Sequence, residues 1–293
     1  MDSDLIIDAF NSLRIRLRDS DSVAGRYRDF IAPIVEYLDA YYWSGKADLS
    51  RITLYRSWRR GTAVLGLSNV NIAYEMPAQH LPDFSKVSDQ NDDLLEKFHS
   101  RCLKAFPNSE PNKSVHSVTI SVAKGRIIEV SPLFRMNSGE MGYPDLAAFG
   151  QWRRLEPLVA HDALLRLDPV ERENLILICR VARIWRSVHK VPISGLLIDA
   201  LGLQFITKAA HRRKPQKFQD CLMRDFFEFM AHQNPGNHSW EIQGAERPVL
   251  RHGPFEEFAT AAYSVAQYAI EQATNRQDRI ARSAWRFLLG DFY

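Results

Sequence analysis

RITLYRSWRRGTAVLGLSNVNIAYEMP, residues 51–77, reads as strand, turn and strand. Ile52 to Tyr55 and Val70 to Tyr74 are short runs rich in β-branched and aromatic residues, and the spacing predicts a strand over each. Between them, Ser57 to Thr62 predicts a turn leading into a helix start. Asn69 and Asn71 stand two apart at the head of the second strand, so their side chains project to one face, toward the turn. A turn of small residues feeding a helix offers backbone N–H groups and a favourable dipole to an anion. Ser57 and Thr62 add hydroxyl donors. Two carboxylates at i and i+2, with a third on a neighbouring strand, would hold the paired divalent cations that nucleotidyl transfer needs. Here both positions are amides, and Glu129 is the candidate for the third.

Working outward, Leu5, Ile6, Phe10, Leu13 and Leu17 recur at helical spacing, and so do Phe30, Ile31, Ile34, Val35 and Leu38. These helices are expected to pack on the back of the sheet that follows. Asp92 to Phe106 returns to helix, ended by Pro107 and Pro111. Val115 to Val122 and Arg126 to Val130 read as a hairpin turning at Lys124 and Gly125. The texture changes near Gly150. Beyond it Leu175–Val188, Leu196–Ala209, Phe218–His232 and Phe255–Phe287 are helical in period, with one long irregular connection over 233–253. The expectation is an α+β chain: a mixed-sheet lobe over 1–150 and an α-helical lobe over 151–293, with a cleft between them lined by Ser57, Thr62, Asn69, Asn71 and Glu129.

At 293 residues, 45% apolar and 25% charged, the chain is of ordinary globular composition. No apolar run approaches the length that spans a bilayer, and the acidic start MDSDLIIDAF lacks the features of a secretory signal, so a cytoplasmic protein is expected. Three cysteines, widely spaced, fit reduced thiols. A net charge of +3 is too small to imply wholesale nucleic-acid binding.

The 51–77 stretch resembles the signature of the polymerase-β-like nucleotidyltransferases: Gly-Ser, a spacer, Gly-Thr, then Asp-x-Asp. More closely it is similar to the bacterial cGAS/DncV-like nucleotidyltransferases (CD-NTases), which make cyclic oligonucleotide messengers in CBASS-type antiphage defence. Ser57, Gly61, Thr62, Ser68, Val70, Ile72 and Pro77 stand where that family has them. The run around Glu129 with Pro132 resembles its third acidic strand. Trp152 with Pro157, Arg183-Ile184-Trp185 and Ser194-Gly195 resemble the entry to its helical lobe, and the closing Trp285–Phe292 resembles its C-terminal end. The resemblance implies a polymerase-β-like lobe plus a helical lobe, NTPs or a nucleotide-derived ligand as partners, and Mg²⁺ or Mn²⁺ if the protein is active. It implies metal-ligand positions at Asn69, Asn71 and Glu129, and nucleotide contacts from Ser57, Thr62, Arg56 and Arg183. A defence effector or a regulatory protein is the implied macromolecular partner; a membrane and nucleic acid are not.

The departures fall on the chemistry. The first glycine of the signature is Arg56, both first-strand aspartates are Asn69 and Asn71, and the helical-lobe lysine is Arg183. An amide offers a divalent ion one neutral oxygen in place of a charged one. Losing well-placed metals forfeits roughly 4 to 8 kcal/mol of transition-state stabilisation, or about three to six powers of ten in rate. Three readings stay open: a pseudoenzyme that binds a nucleotide or partner, an active synthase whose aspartates were changed to asparagine, and a synthase working with Glu129 and residual ligands. Other features have plainer readings. His211–Lys214 with Lys217 is a basic run that reads as a solvated helix end or a phosphate track. Arg59 and Arg60 flank the turn; His232, His238 and His252 read as loop residues; Tyr41, Tyr42, Trp43 and Trp185 read as packing.

Overall fold

The structure is a computed structural model that describes residues 4–18, 27–80, 90–112, 117–122, 126–135, 141–145, 151–154, 158–241 and 248–293. Chain contacts gather these residues into two units that interleave in sequence. One takes in 22–59 and 68–157, and the other takes in 1–21, 60–67 and 158–293. Relative to a single boundary at 150, the first helix and the segment 60–67 join the helical unit. Among the described residues no helix is long and apolar enough to cross a membrane.

The sheet unit holds α2 (Arg28–Tyr42), β1 (Ile52–Leu54), β2 (Val70–Glu75), α3 (Gln90–Ala105), β3 (Ser109–Asn112), β4 (Ser117–Val122), β5 (Arg126–Arg135), β6 (Met141–Asp145) and β7 (Gln151–Arg154). The strand order is β1-β2-β5-β4-β3, with β6 pairing β5 and β7. β2 and β5 run parallel, in a register that sets Asn71 opposite Glu129. Val70, Ile72, Ala73 and Tyr74 are all fully buried, as expected for a strand covered on both faces. Pro111 is tolerated because β3 lies at the end of the sheet and needs no second ladder. Tyr42 of α2 lies 6.3 Å from the ring of Tyr74 and stacks at 6.0 Å on Phe98 of α3. Asp39 of α2, fully buried, accepts from the Tyr74 hydroxyl at 2.7 Å and pairs with Arg51 at 2.7 Å. β6 and β7 lie in a region the sequence left without elements. The Lys124-Gly125 turn lies outside the described residues.

The helical unit holds α1 (Asp4–Arg18), α4 (Leu158–Val170), α5 (Asn174–Val188), α6 (Gly195–Ile206), α7 (Gln219–Ala231), the short pair β8 (Ser239–Trp240) and β9 (Val249–Leu250), α8 (Glu256–Thr274) and α9 (Asp278–Leu289). The β8–β9 pair lies within the connection over 233–253. The expectation for α1 is corrected. Its apolar face joins the helical core, with Phe10 edge-on to Trp285 at 4.9 Å and to Tyr293 at 5.4 Å. Those aromatic partners sit at the far end of the chain, so local periodicity could show the stripe but not what covers it. The run 255–287 is also two helices. Arg276, at φ +58°, closes α8 in a Schellman motif, with Arg276 N–H on the Ala273 carbonyl and Gln277 N–H on the Gln272 carbonyl.

One buried carboxylate gives this unit a pH dependence. Asp168, near the end of α4, accepts from the Ile176 N–H at 2.8 Å and so caps the first turn of α5. Burial raises its carboxyl from 3.8 to about 6. The folded chain therefore holds that proton more tightly than the unfolded chain. The group's contribution to stability is complete below about pH 4 and is lost as pH rises through about 6. We predict that Asp168→Asn, which keeps an acceptor for Ile176, becomes progressively more stable relative to wild type between pH 4 and 6.5. The gain should be at most roughly 3 kcal/mol, read from urea midpoints across that range.

Candidate active site

The turn after β1 brings Arg56 to Glu129 and Asn69 in the sheet unit. Residues 56–61 form successive turns, 65–67 form another, and no helix intervenes before β2. The expected helix start is thus replaced by turns, with Gly61 and Gly66 at positive φ interrupting any helical run. The oriented N–H groups of a helix terminus are not available to an anion here.

Arg56 takes φ +55°, a left-handed conformation that costs a residue with a side chain about 1–2 kcal/mol. Its guanidinium lies 2.8 Å from Glu129 Oε2 and over the Tyr55 ring, 5.2 Å from its centre. Asn69 Nδ2 donates to the other Glu129 oxygen at 3.2 Å. Both carboxylate oxygens are therefore engaged, one by a permanent cation and one by an amide. Trp58 Nε1 donates to the Asn69 carbonyl at 2.6 Å, the Tyr55 amide donates to the Asn71 carbonyl at 3.1 Å, and the Tyr55 and Ser131 hydroxyls are 2.7 Å apart. Asn71 is 5% exposed, directly opposite Glu129. Ser57 is half-buried in the turn.

Thr62 and Arg183 belong to the helical unit, where both are buried around Asp199. Arg183 donates to Asp199 Oδ1 and Oδ2 at 2.7 Å each, to Thr62 Oγ1 at 3.0 Å and to the Gly195 carbonyl at 2.9 Å. Arg60 Nε and the Thr62 hydroxyl add donors to Asp199 Oδ2 at 2.9 and 3.0 Å. A Cβ at position 195 would come within 1.8 Å of the Arg183 guanidinium, so only glycine leaves room for that ion pair. Arg180 extends the network through the Gly61 and Leu17 carbonyls, both at 2.7 Å. Asp199 was not among the residues singled out from sequence. Its signal was there: a carboxylate inside the apolar run GLLIDALGL needs a buried partner.

The remaining candidates sort themselves out. His232 Nδ1 is 2.8 Å from its own helix's Glu228 carbonyl. Arg212 and Arg213 pair with Glu171, and His211 with Asp225. Tyr42 is core, and Arg101 sits over Tyr41. All three cysteines are free, and burial pushes the Cys102 and Cys221 thiols up to about 12. Among the described residues no group of three or more His, Cys, Asp or Glu side chains is placed to hold a metal ion.

Against known proteins, the family model of the Second Messenger Oligonucleotide or Dinucleotide Synthetase domain matches residues 6–166, more than half of the chain. The chain belongs to this family, the bacterial CD-NTases. No curated protein matches it. Solved structures agree in fold. CdnC of E. coli MS115-1, determined with ATP, superposes with a TM-score of 0.62 at 14% identity over 100% of this chain and 99% of its own. Vibrio cholerae DncV in its apo form gives 0.61 at 13%, over 97% and 87%. Bradyrhizobium diazoefficiens CdnG in complex with GTP gives 0.59 at 10%, over 97% and 94%. The polymerase-β-like CD-NTase fold is thus retained at identities far too low to carry site chemistry across.

The Asp199 network carries a stability prediction. Removing the carboxylate leaves two buried guanidiniums facing each other, and breaking a buried pair in this way costs about 3–5 kcal/mol. Asp199→Ala should lower the free energy of unfolding, measured by urea denaturation, by that amount, with Asp199→Asn intermediate.

Proposed function

We propose that this CD-NTase is a pseudoenzyme in which a fixed cation has taken the place of the metal site, leaving a protein that binds a nucleotide or a partner without joining nucleotides. The observation that carries this reading is the Arg56–Glu129 contact at 2.8 Å, with Asn69 on the second oxygen of the same carboxylate. Where the family's motif implies three carboxylates, this chain has one, already neutralised. A divalent ion would have to displace the guanidinium and then face its charge, with amides as the remaining donors. The donor set does not fit two hard cations, so no catalytic step is derived through them.

The same contact bears on whether the asparagines stand alone. Arg56 and Asn69 each take one oxygen of Glu129, so the arginine and that amide act as one unit. Two aspartates changed in isolation would leave Arg56 unexplained. A co-adapted site accounts for both, which favours the pseudoenzyme over an active synthase with two substitutions.

What such a protein would do is bind. Within the sheet unit, Ser57 and Arg56 are the positions that the family resemblance assigns to a nucleotide, while Thr62 and Arg183, buried and engaged with Asp199, are not offered to one. CdnC is known in a complex with HORMA-deltaN, so a regulatory protein is the partner class by analogy, within CBASS-type defence signalling.

The test is an NTP incubation with Mg²⁺ or Mn²⁺, read by product chromatography, beside Mn²⁺ titrations. The unmodified chain should make no product above background. Asn69→Asp with Asn71→Asp should bind Mn²⁺ at least tenfold more weakly than the same pair combined with Arg56→Gly. That glycine accepts φ +55° without strain and releases Glu129. Robust product from the unmodified chain would overturn the proposal.

A further inference from the structure

A second basic feature is unconnected with the changed signature. Within the helical unit, a cavity of about 450 Å³ opens between α1, the start of α5 and the segment 214–217. Ile7, Asn11 and Arg14 reach it from one stripe of α1, at spacings of four and three residues. Arg172, Lys214 and Lys217 come from the other sides, so four of its lining residues are cations and none is a carboxylate. Asn174, 3% exposed, and Pro215 complete the wall.

One of these four cations is already paired with a carboxylate. Glu173 pairs with Arg14 at 2.5 Å, and Glu171 is committed to Arg212 and Arg213. Among the described residues Arg172 and Lys214 have no carboxylate partner. Like charges gathered round one cavity repel one another and raise its affinity for anions. The backbone also supports the site at a cost. Arg172 and Glu173 are consecutive non-glycine residues at φ +57° and +62°, each disfavoured by about 1–2 kcal/mol. They are held there by Glu173 N–H on the Asp168 carbonyl at 2.8 Å and Asn174 N–H on the Glu171 carbonyl at 3.2 Å. Strain of this kind persists where surrounding structure enforces it, and it concentrates at binding sites.

We infer that this cavity is a binding site for a small organic molecule carrying two or more phosphate groups. Arg172 and Lys214 approach from different sides of the cavity, and two such cations match a chain of phosphates better than a single one. The Ile7 and Pro215 walls with the two asparagine amides suit an organic portion with hydrogen-bonding edges, and the volume is that of a small-molecule site. The inference stands independently of the reading given to Arg56 and Glu129.

The test is calorimetric titration of the full chain with inorganic tripolyphosphate and with ATP. The decisive variant is Arg172→Gly with Lys214→Gln: glycine relieves the strain at φ +57° and Lys214 is exposed, so the fold is kept, as thermal melting would verify. Tripolyphosphate should bind at least tenfold more weakly to this variant. The exposed Lys208→Gln should change affinity by less than about twofold, and ATP should bind wild type more tightly than tripolyphosphate does. Equal losses in both variants would show diffuse charge and overturn the proposal. So would binding that disappears with Arg56→Gly but survives the double variant, which would place the anion in the sheet unit. Affinity for oligothymidylate that climbs with length, without tripolyphosphate binding, would show a nucleic-acid track and overturn it as well.

Discussion

The parallel pairing of β2 with β5 is the constraint on which the sheet unit depends. It sets Asn71 opposite Glu129, and Asn69, just before β2, donates to the same carboxylate. A one-residue slip would turn Glu129 to the opposite face and bury the wrong set of side chains. The fully buried Val70, Ile72 and Tyr74 make that register costly to leave. Asn69, Asn71 and Glu129 are therefore held at one edge of the same strand pair, with Asn69 donating to the Glu129 carboxylate.

Preserving the geometry while changing the chemistry has an electrostatic consequence. A lone carboxylate beside buried strands would be costly without a partner. Arg56 supplies one from the turn, adopting a conformation usually left to glycine. The carboxylate it meets is only 12% exposed at the side chain, so without Arg56 that charge would stand largely desolvated and unpaired by a cation. The helical unit meets a similar problem in Asp199, resolved by two arginines, a threonine hydroxyl and a glycine whose missing Cβ leaves room for the guanidinium. In each unit a conspicuous charge is held by partners distant in sequence.

The legibility of the chain follows from these distances. β1, β2, α3, α5, α6 and α7 were readable from periodicity, because burial of one face imposes a local pattern. β6 and β7 were not: MGYPD and QWRR carry no alternation long enough to register. The end of α8 was missed because Arg276 stands where glycine normally marks a Schellman close. At the candidate site, the motif singled out Arg56, Asn69, Asn71 and Glu129 one by one, but the partnership of Arg56 with Glu129 spans 73 residues and has no local signature.

By itself, then, the sequence determined the family and the residue types at the motif, because these lie in order along the chain. It also determined that the carboxylate pair is absent. Only the tertiary structure decided that Glu129 is met by Arg56, that Arg183 and Thr62 close round Asp199, and that α1 with residues 172–174 and 214–217 encloses a basic cavity. Each of these depends on which distant side chains meet, and that is settled by strand register and helix packing rather than by any local pattern.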